Sequence, residues 1–236
     1  MVEGKRRVGA ALMAIALSAT LATAAMAKEE HPADPWEGFN RTMFSFNEGL
    51  DRAIIKPVTQ GYRYVMPDFA EKGVHNFFEN IGDVKTFFNN VLQGKPKEAS
   101  EDLGRVLVNT TIGIGGLFDV ASALGIPKHD EDFGQTLGAW GVDSGPYLVL
   151  PLFGPSSVRD GIGRIPDAMV DPLQEIGDED TQLGLQVLRV IDTRAEILKA
   201  EGVISGDRYT FIRDAYLQRR EFEVNDGQVE FNPDDF

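Results

Sequence analysis

Phe77-Phe78-Glu79-Asn80-Ile81-Gly82-Asp83-Val84-Lys85-Thr86-Phe87-Phe88-Asn89-Asn90-Val91-Leu92 is the stretch on which the fold class turns. Its apolar residues (Phe77, Phe78, Ile81, Val84, Phe87, Phe88, Val91 and Leu92) recur at three- and four-residue steps, the period of a broad helical face. Gly94-Lys95-Pro96 ends the pattern, and Gly82 offers a point at which it could divide into two shorter helices. Upstream, Asp34-Pro35 reads as an N-cap followed by proline at the first helical position. Phe39, Met43, Phe46, Leu50 and Ile54 then predict one helix up to Lys56-Pro57. Downstream, Glu98 to Val108 is a further helix candidate. Leu183, Val187, Val190, Ile191 and Leu198 predict a long helix ending near Gly202, and Asp207 caps a last one through Phe222. The reading is all-α, a single domain of amphipathic helices.

The centre, from Asn109 to Asp171, is rich in Gly and Pro and carries apolar runs without period-two alternation. Pro146, Pro151, Pro155 and Pro166 each lack a backbone donor, which disfavours a central strand, so short helices joined by tight turns are expected there.

At the N-terminus, Lys5, Arg6 and Arg7 precede an apolar stretch from Val8 to about Leu21, and Ala25-Met26-Ala27 places small residues where a signal peptidase reads. The expected organisation is a cleavable signal peptide over 1–27, a helical domain over 28–222 and an acidic, flexible tail over 223–236. Removing the leader takes three of the 23 basic residues and one of the 37 acidic ones, leaving 20 against 36 and a formal charge of −16. That balance opposes non-specific binding to nucleic acid or to an anionic lipid surface, so membrane attachment has to be hydrophobic. Cysteine is absent, which removes disulfides, thiolate catalysis and thiolate metal sites.

Catalytic constellations are poor. His31, His75 and His129 stand alone, without the paired histidines of a zinc helix. Gly141-Val142-Asp143-Ser144-Gly145 misses the nucleophile elbow by one place. Gly113-Ile114-Gly115-Gly116 lacks both the third glycine of a dinucleotide loop, replaced by Phe118, and the Lys-Ser/Thr of a P-loop. Close helix packing or backbone bending explains these glycines better. Asp130-Glu131-Asp132 and Asp178-Glu179-Asp180 lack the spacing of a calcium loop and read as solvated loop charge. No enzyme, metal or cofactor is expected. What stands out is apolar: Tyr147-Leu148-Val149-Leu150-Pro151-Leu152-Phe153 is too short to span a bilayer, and 15 Phe suit either a helical core or helices whose outer face meets acyl chains. Leu148, Leu150, Leu152 and Phe153 are the membrane-contact candidates.

Asp34-Pro35-Trp36-Glu37-Gly38-Phe39-Asn40-Arg41-Thr42-Met43 resembles the opening signature of the MlaA/VacJ family. Further matches follow in order: Phe87 to Gly94, Arg105 to Asn109, Thr111 to Ala121, Asp132 to Gly138, Gly145 to Pro151, Arg159-Asp160, Asp192 to Ala195 and Tyr209 to Arg219. The resemblance runs from about Asp34 to Phe222. It implies a non-enzymatic component that removes mislocalised phospholipid from the outer leaflet of the Gram-negative outer membrane. The fold it implies is a helical ring in the periplasmic leaflet around a polar-lined channel, with Gly113, Gly115 and Gly116 as channel or helix-bend candidates. The implied partners are phospholipid, a trimeric porin and an MlaC-type periplasmic lipid carrier; the alternative is a porin-associated adaptor without transport of its own. Relatives are acylated at an N-terminal cysteine, whereas this chain has none and is expected to begin, unlipidated, at Lys28.

Overall fold

A computed structural model describes residues 31–200 and 206–228. The expected leader over 1–27 lies outside them, as does the expected tail beyond residue 228. Two compact units are distinguished, residues 1–35 and 36–236. Of the first, the described part is a turn in which the Asp34 N–H donates to the His31 carbonyl at 2.8 Å.

The second unit is built from helices and one hairpin. In chain order it runs α1 (Glu37–Leu50), a π-helical turn (Asp51–Ile55), α2 (Lys56–Val65), α3 (Asp68–Leu92), α4 (Pro96–Thr111), α5 (Val120–Ala123) and α6 (Phe133–Ala139). Strands β1 (Tyr147–Leu150) and β2 (Gly154–Ser157) follow, then α7 (Val158–Met169), a 3-10 turn (Pro172–Glu175), α8 (Glu179–Ala200) and α9 (Arg208–Val224). The all-α expectation holds apart from the hairpin. Neighbours close into a circuit: α3 packs on α6, α6 on α7, α7 on β1, β1 on α1, α1 continues into α2, α2 packs on α8, and α8 returns to α3.

Several boundaries differ from expectation. Helix α1 starts at Glu37 after Trp36, with no side-chain cap, so Asp34 does not cap it. Nor does the helix stop at Lys56-Pro57, because the wider π turn just before Pro57 accommodates a ring and a missing N–H that would break a regular α-helix. The same turn has a second effect. Phe39 and Phe46 lie seven residues apart on one face, whereas the eight-residue step to Ile54 would rotate an α-helix by about 80°. One inserted π residue absorbs that rotation, and Ile54 and Val58 continue an exposed apolar stripe. Gly82 does not divide α3, which is continuous over 25 residues.

The hairpin at 147–157 overturns the expectation of short helices there. Tyr147 pairs with Ser157 and Leu150 with Gly154 in antiparallel register. The proline argument applied to central strands, and a two-stranded ribbon has none: Pro151 falls in the turn and Pro155 on an edge. The outer edge of β1 is covered by two asparagines of α1. Asn40 donates to the Tyr147 carbonyl at 3.0 Å and accepts from the Val149 N–H at 2.9 Å. One face further along, Asn47 does the same with the Leu150 carbonyl at 2.9 Å and the Leu152 N–H at 2.8 Å. Two side-chain amides thereby act as a third strand, satisfying backbone groups that an exposed edge would leave unpaired. Pro166 sits inside α7, where a short helix absorbs it.

Packed apolar cores are small. One gathers Phe78, Ile81 and Leu173 with Leu185 and Leu188, and the other Tyr147, Val149 and Tyr209 with Met43 and Leu217. Much of the interior is polar. Beyond Ile81, the buried face of α3 is Asp83, Thr86, Asn89 and Asn90, while Phe88, Val91 and Leu92 turn outward. The apolar stripe that announced the helix is therefore partly an outer face.

Candidate functional site

Among the described residues, nine hydrophobic side chains are buried against 23 polar or charged ones, and 31 large hydrophobic side chains are exposed. A water-soluble domain arranges these classes the other way round. Exposed residues line up on element after element. Helix α8 shows Leu183, Val187, Val190 and Ile197, each on one stripe, and α7 shows Ile162, Ile165 and Met169. The hairpin splits its apolar run by pleat. Tyr147 and Val149 are fully buried and Leu148 and Leu150 half-buried, while Leu152 and Phe153 at the turn are each 66 % exposed. No helix among the described residues is long and apolar enough to cross a membrane. The exposed apolar side chains are thus spread over several elements of a body whose described helices include none of spanning length.

Two buried networks pair the arginines of this interior with aspartates. Arg105, 1 % exposed, donates through Nε to Asp83 at 3.1 Å and through Nη2 to Asp119 at 3.1 Å, with Nη1 on Ser122 and the Ile126 carbonyl. Asp119 caps α5 through the Ser122 N–H. Burial alone would raise its carboxyl, but hydrogen bonds from Ser122 and Asn109 and the Arg105 charge outweigh it and hold the group at about 2. Asp83 goes the other way: its deeper burial wins over Lys128 and Arg105 and raises it. A second network joins Arg220 of α9 to Asp132 and Asp160. The three aspartate-rich residues 130–132 are accordingly divided. Asp130 stays solvated, Glu131 is buried against Lys95 and Gln93, and Asp132 caps α6 while binding Arg220, which corrects the loop-charge reading. Asp178 does lie exposed, capping the start of α8.

Gly113, Gly115 and Gly116 form the turn that ends α4. Their chemistry differs. At Gly113 a Cβ would lie 2.2 Å from the Phe118 carbonyl oxygen and 2.4 Å from that of Asn109, both backbone; at Gly116 (φ +92°) it would lie 2.8 Å from Nδ2 of Asn80. The turn thus folds back onto α4 and closes over α3 at van der Waals distance. Gly113→Ala is expected to destabilise by about 1–3 kcal/mol through overpacking, read as a drop of several degrees in melting temperature by circular dichroism. An unchanged melting temperature would show that the turn is slack.

Beneath this turn lies a polar cavity of ≈ 150 Å³ whose walls include His75, Glu79, Asn80, Asn109, Asp119 and Lys128. His75 Nδ1 is 3.1 Å from Asp192 of α8, and that hydrogen bond, against a burial penalty, raises its pKa. Lys128 bridges Glu79 and Asp83. Ile112, Ile114, Leu117 and Phe118, all exposed, surround the turn outside. A polar pocket with an apolar rim can take an amphipathic molecule, head inward. None of the expected candidates lines this pocket: Gly113 and Gly116 pack against the wall residues Asn109 and Asn80 from outside, and the four hairpin residues lie on a different element. Asn80 and Lys128 escaped the sequence reading, which set His75 aside as a lone histidine, although an asparagine and an aspartate on the apolar stripe of α3 were a legible signal of a polar interior. No His/Asp/Glu group among the described residues has the geometry to hold a metal ion.

Comparison with known proteins accords with this geometry. The chain is 36 % identical over 228 residues to the intermembrane phospholipid transport system lipoprotein MlaA of Escherichia coli (strain K12), covering 92 % of this chain and 90 % of that one. To the protein of the same description from Haemophilus influenzae it is 34 % identical over 213 residues, with 86 % and 85 % covered. A solved structure described as the structural basis for maintenance of bacterial outer membrane lipid asymmetry superposes with a TM-score of 0.72 at 37 % identity, covering 81 % of this chain and 99 % of that one. With residues 32–223 matching the model of the MlaA lipoprotein family, the chain belongs to that family.

Proposed function

We propose that this protein withdraws mislocalised phospholipid from the outer leaflet of the outer membrane and passes it to a soluble periplasmic lipid carrier, without catalysis. The observation that carries the reading is the inverted distribution of side chains: an apolar exterior that seats the body in a leaflet, and a polar interior open to a lipid headgroup. The relatives' role in intermembrane phospholipid transport and outer-membrane lipid asymmetry supports it. A trimeric porin is the proposed partner in the membrane, and an MlaC-type carrier the proposed acceptor. Attachment through the apolar faces fits a sequence of 236 residues without cysteine.

Deletion of the gene is expected to raise outer-leaflet phospholipid and sensitise cells to detergent, both reversed by the wild-type chain in trans. Asymmetry left intact, with porin association lost, would identify a structural adaptor instead.

A further inference from the structure

Among the described residues, every arginine except Arg52 and Arg164 has a carboxylate within 4.0 Å. Arg164 is exposed on α7 and makes no hydrogen bond or ion pair with another described residue. Acids do stand at the helical steps from which a partner usually comes, but both are turned elsewhere. Asp160, four residues before, is held by Arg220 at 3.0 Å and by the Tyr216 hydroxyl. Asp167, three residues after, accepts from Asn89 Nδ2 at 3.0 Å and from the Phe133 N–H at 3.1 Å. In an acidic chain whose other arginines are nearly all neutralised, this one keeps its N–H donors free.

Its surroundings are apolar. The guanidinium carbon lies 5.3 Å from the centre of the Phe153 ring. Phe153 and Leu152 are themselves exposed on the hairpin turn, and Ile162, Ile165 and Met169 are exposed along α7. A ring face attracts the charge but cannot satisfy five N–H donors. Arginine does not discharge by losing its proton, so beside acyl chains it needs an anion that comes to it. The phosphodiester of a phospholipid is the anion found at the border between hydrocarbon and water, and its oxygens match the fork of N–H groups. A soluble anion would gain nothing from Leu152, Phe153 and Ile165. We propose that Arg164 binds the phosphodiester of a membrane phospholipid at the edge of this patch, while Leu152, Phe153 and Ile165 reach past it among the acyl chains. This rests on the lipid-transport reading and fixes one level of the membrane seat within it. Every phospholipid carries the group, so no headgroup preference is expected.

The test uses the full chain, with nitrogen-15 in its guanidinium groups, in phosphatidylcholine nanodiscs, whose zero net charge removes bulk attraction. Solid-state NMR then reads the dephasing of each guanidinium signal by phosphorus. The Arg164 signal, identified by its loss in Arg164→Lys, is expected to report a phosphorus at about 4 Å, the separation implied by a direct N–H···O contact. Arg220, enclosed by its aspartates, is the control expected to show none. Arg164→Gln is expected to weaken binding to phosphatidylcholine vesicles about five-fold with helicity unchanged, one charge-assisted hydrogen bond discounted for exposure. No dephasing at Arg164, or unchanged binding of the glutamine variant, would overturn the contact. Because the sequence has no cysteine, a bimane can be placed at Phe153→Cys or Ile165→Cys and quenched by nitroxides on the lipid chains. Quenching there without dephasing at Arg164 would sink the phosphate contact and leave the membrane seat standing; no quenching at either position would overturn both. Equal dephasing by inorganic phosphate, with the protein in a phosphorus-free detergent, would reassign Arg164 to a soluble anion and likewise overturn the proposal.

Discussion

Arg220→Leu is expected to cost about 3–5 kcal/mol of folding stability at neutral pH, the characteristic loss when one partner of a buried ion network is removed. Arg220 Nε and Nη2 each reach Asp160 at 3.0 Å, while Nη1 and Nη2 reach Asp132 at 2.8 and 2.9 Å. Asp160 is 8 % exposed, so leucine leaves it and Asp132 charged and without their main counter-ion. The loss is also pH-dependent, with a definite sign. Burial alone would raise the Asp160 carboxyl, but hydrogen bonds from Arg220 and Tyr216 outweigh it and hold it at about 2; Asp132 is lowered through the same guanidinium. A carboxyl depressed in the folded state contributes its stability above the unfolded value of about 3.9 and loses it as pH falls through the folded value. Wild type should therefore surrender this contribution between about pH 4 and pH 2. In the variant the two carboxyls rise and neutralise earlier, so the gap between the two urea midpoints is widest at pH 7 and narrows on acidification. A gap that stays constant down to pH 2 would mean that leucine acts by shape and not through the stranded charges.

Phe153→Asp and Val187→Asp are expected to release the protein from outer-membrane vesicles about ten- to a hundred-fold more readily, with helicity and melting temperature nearly unchanged. Both side chains are more than half exposed, on the hairpin turn and on the stripe of α8. A charge in hydrocarbon costs up to about 3 kcal/mol, less near the interface, whereas the same charge on a water-facing surface changes stability by about 0.5 kcal/mol or less. Val149→Asp is the internal control: at 0 % exposure it should unfold the hairpin region and not merely detach the protein. Urea is expected to release wild type and salt alone is not, with an intact mass free of fatty acid. Release by salt, or an acyl-modified chain, would show that another force holds it. If Phe153→Asp melts the protein and Val187→Asp does nothing, the exposed faces are not the membrane surface.

Local rules decided much of this before any packing was considered. The stripe of α3, the terminator Gly94-Lys95-Pro96 and the N-cap Asp207 are properties of neighbours in the chain, and the observed helices Asp68–Leu92 and Arg208–Val224 follow them. Absence of cysteine, the acidic balance and the ordered family motifs were equally legible, since none of them requires a partner in space. Three things required tertiary structure. Whether Phe88, Val91 and Leu92 face inward or outward could not be read, because periodicity states that a face is apolar but not what lies against it. The hairpin was hidden because Asn40 and Asn47, more than 100 residues away, complete the edge of β1 through side-chain amides. The pocket was hidden because its walls come from α3, α4, Asp119 and Lys128, which only packing brings together. Sequence determined the segments and their amphipathic faces; the tertiary structure decided which faces meet, since burial is a property of the assembled body and not of any segment.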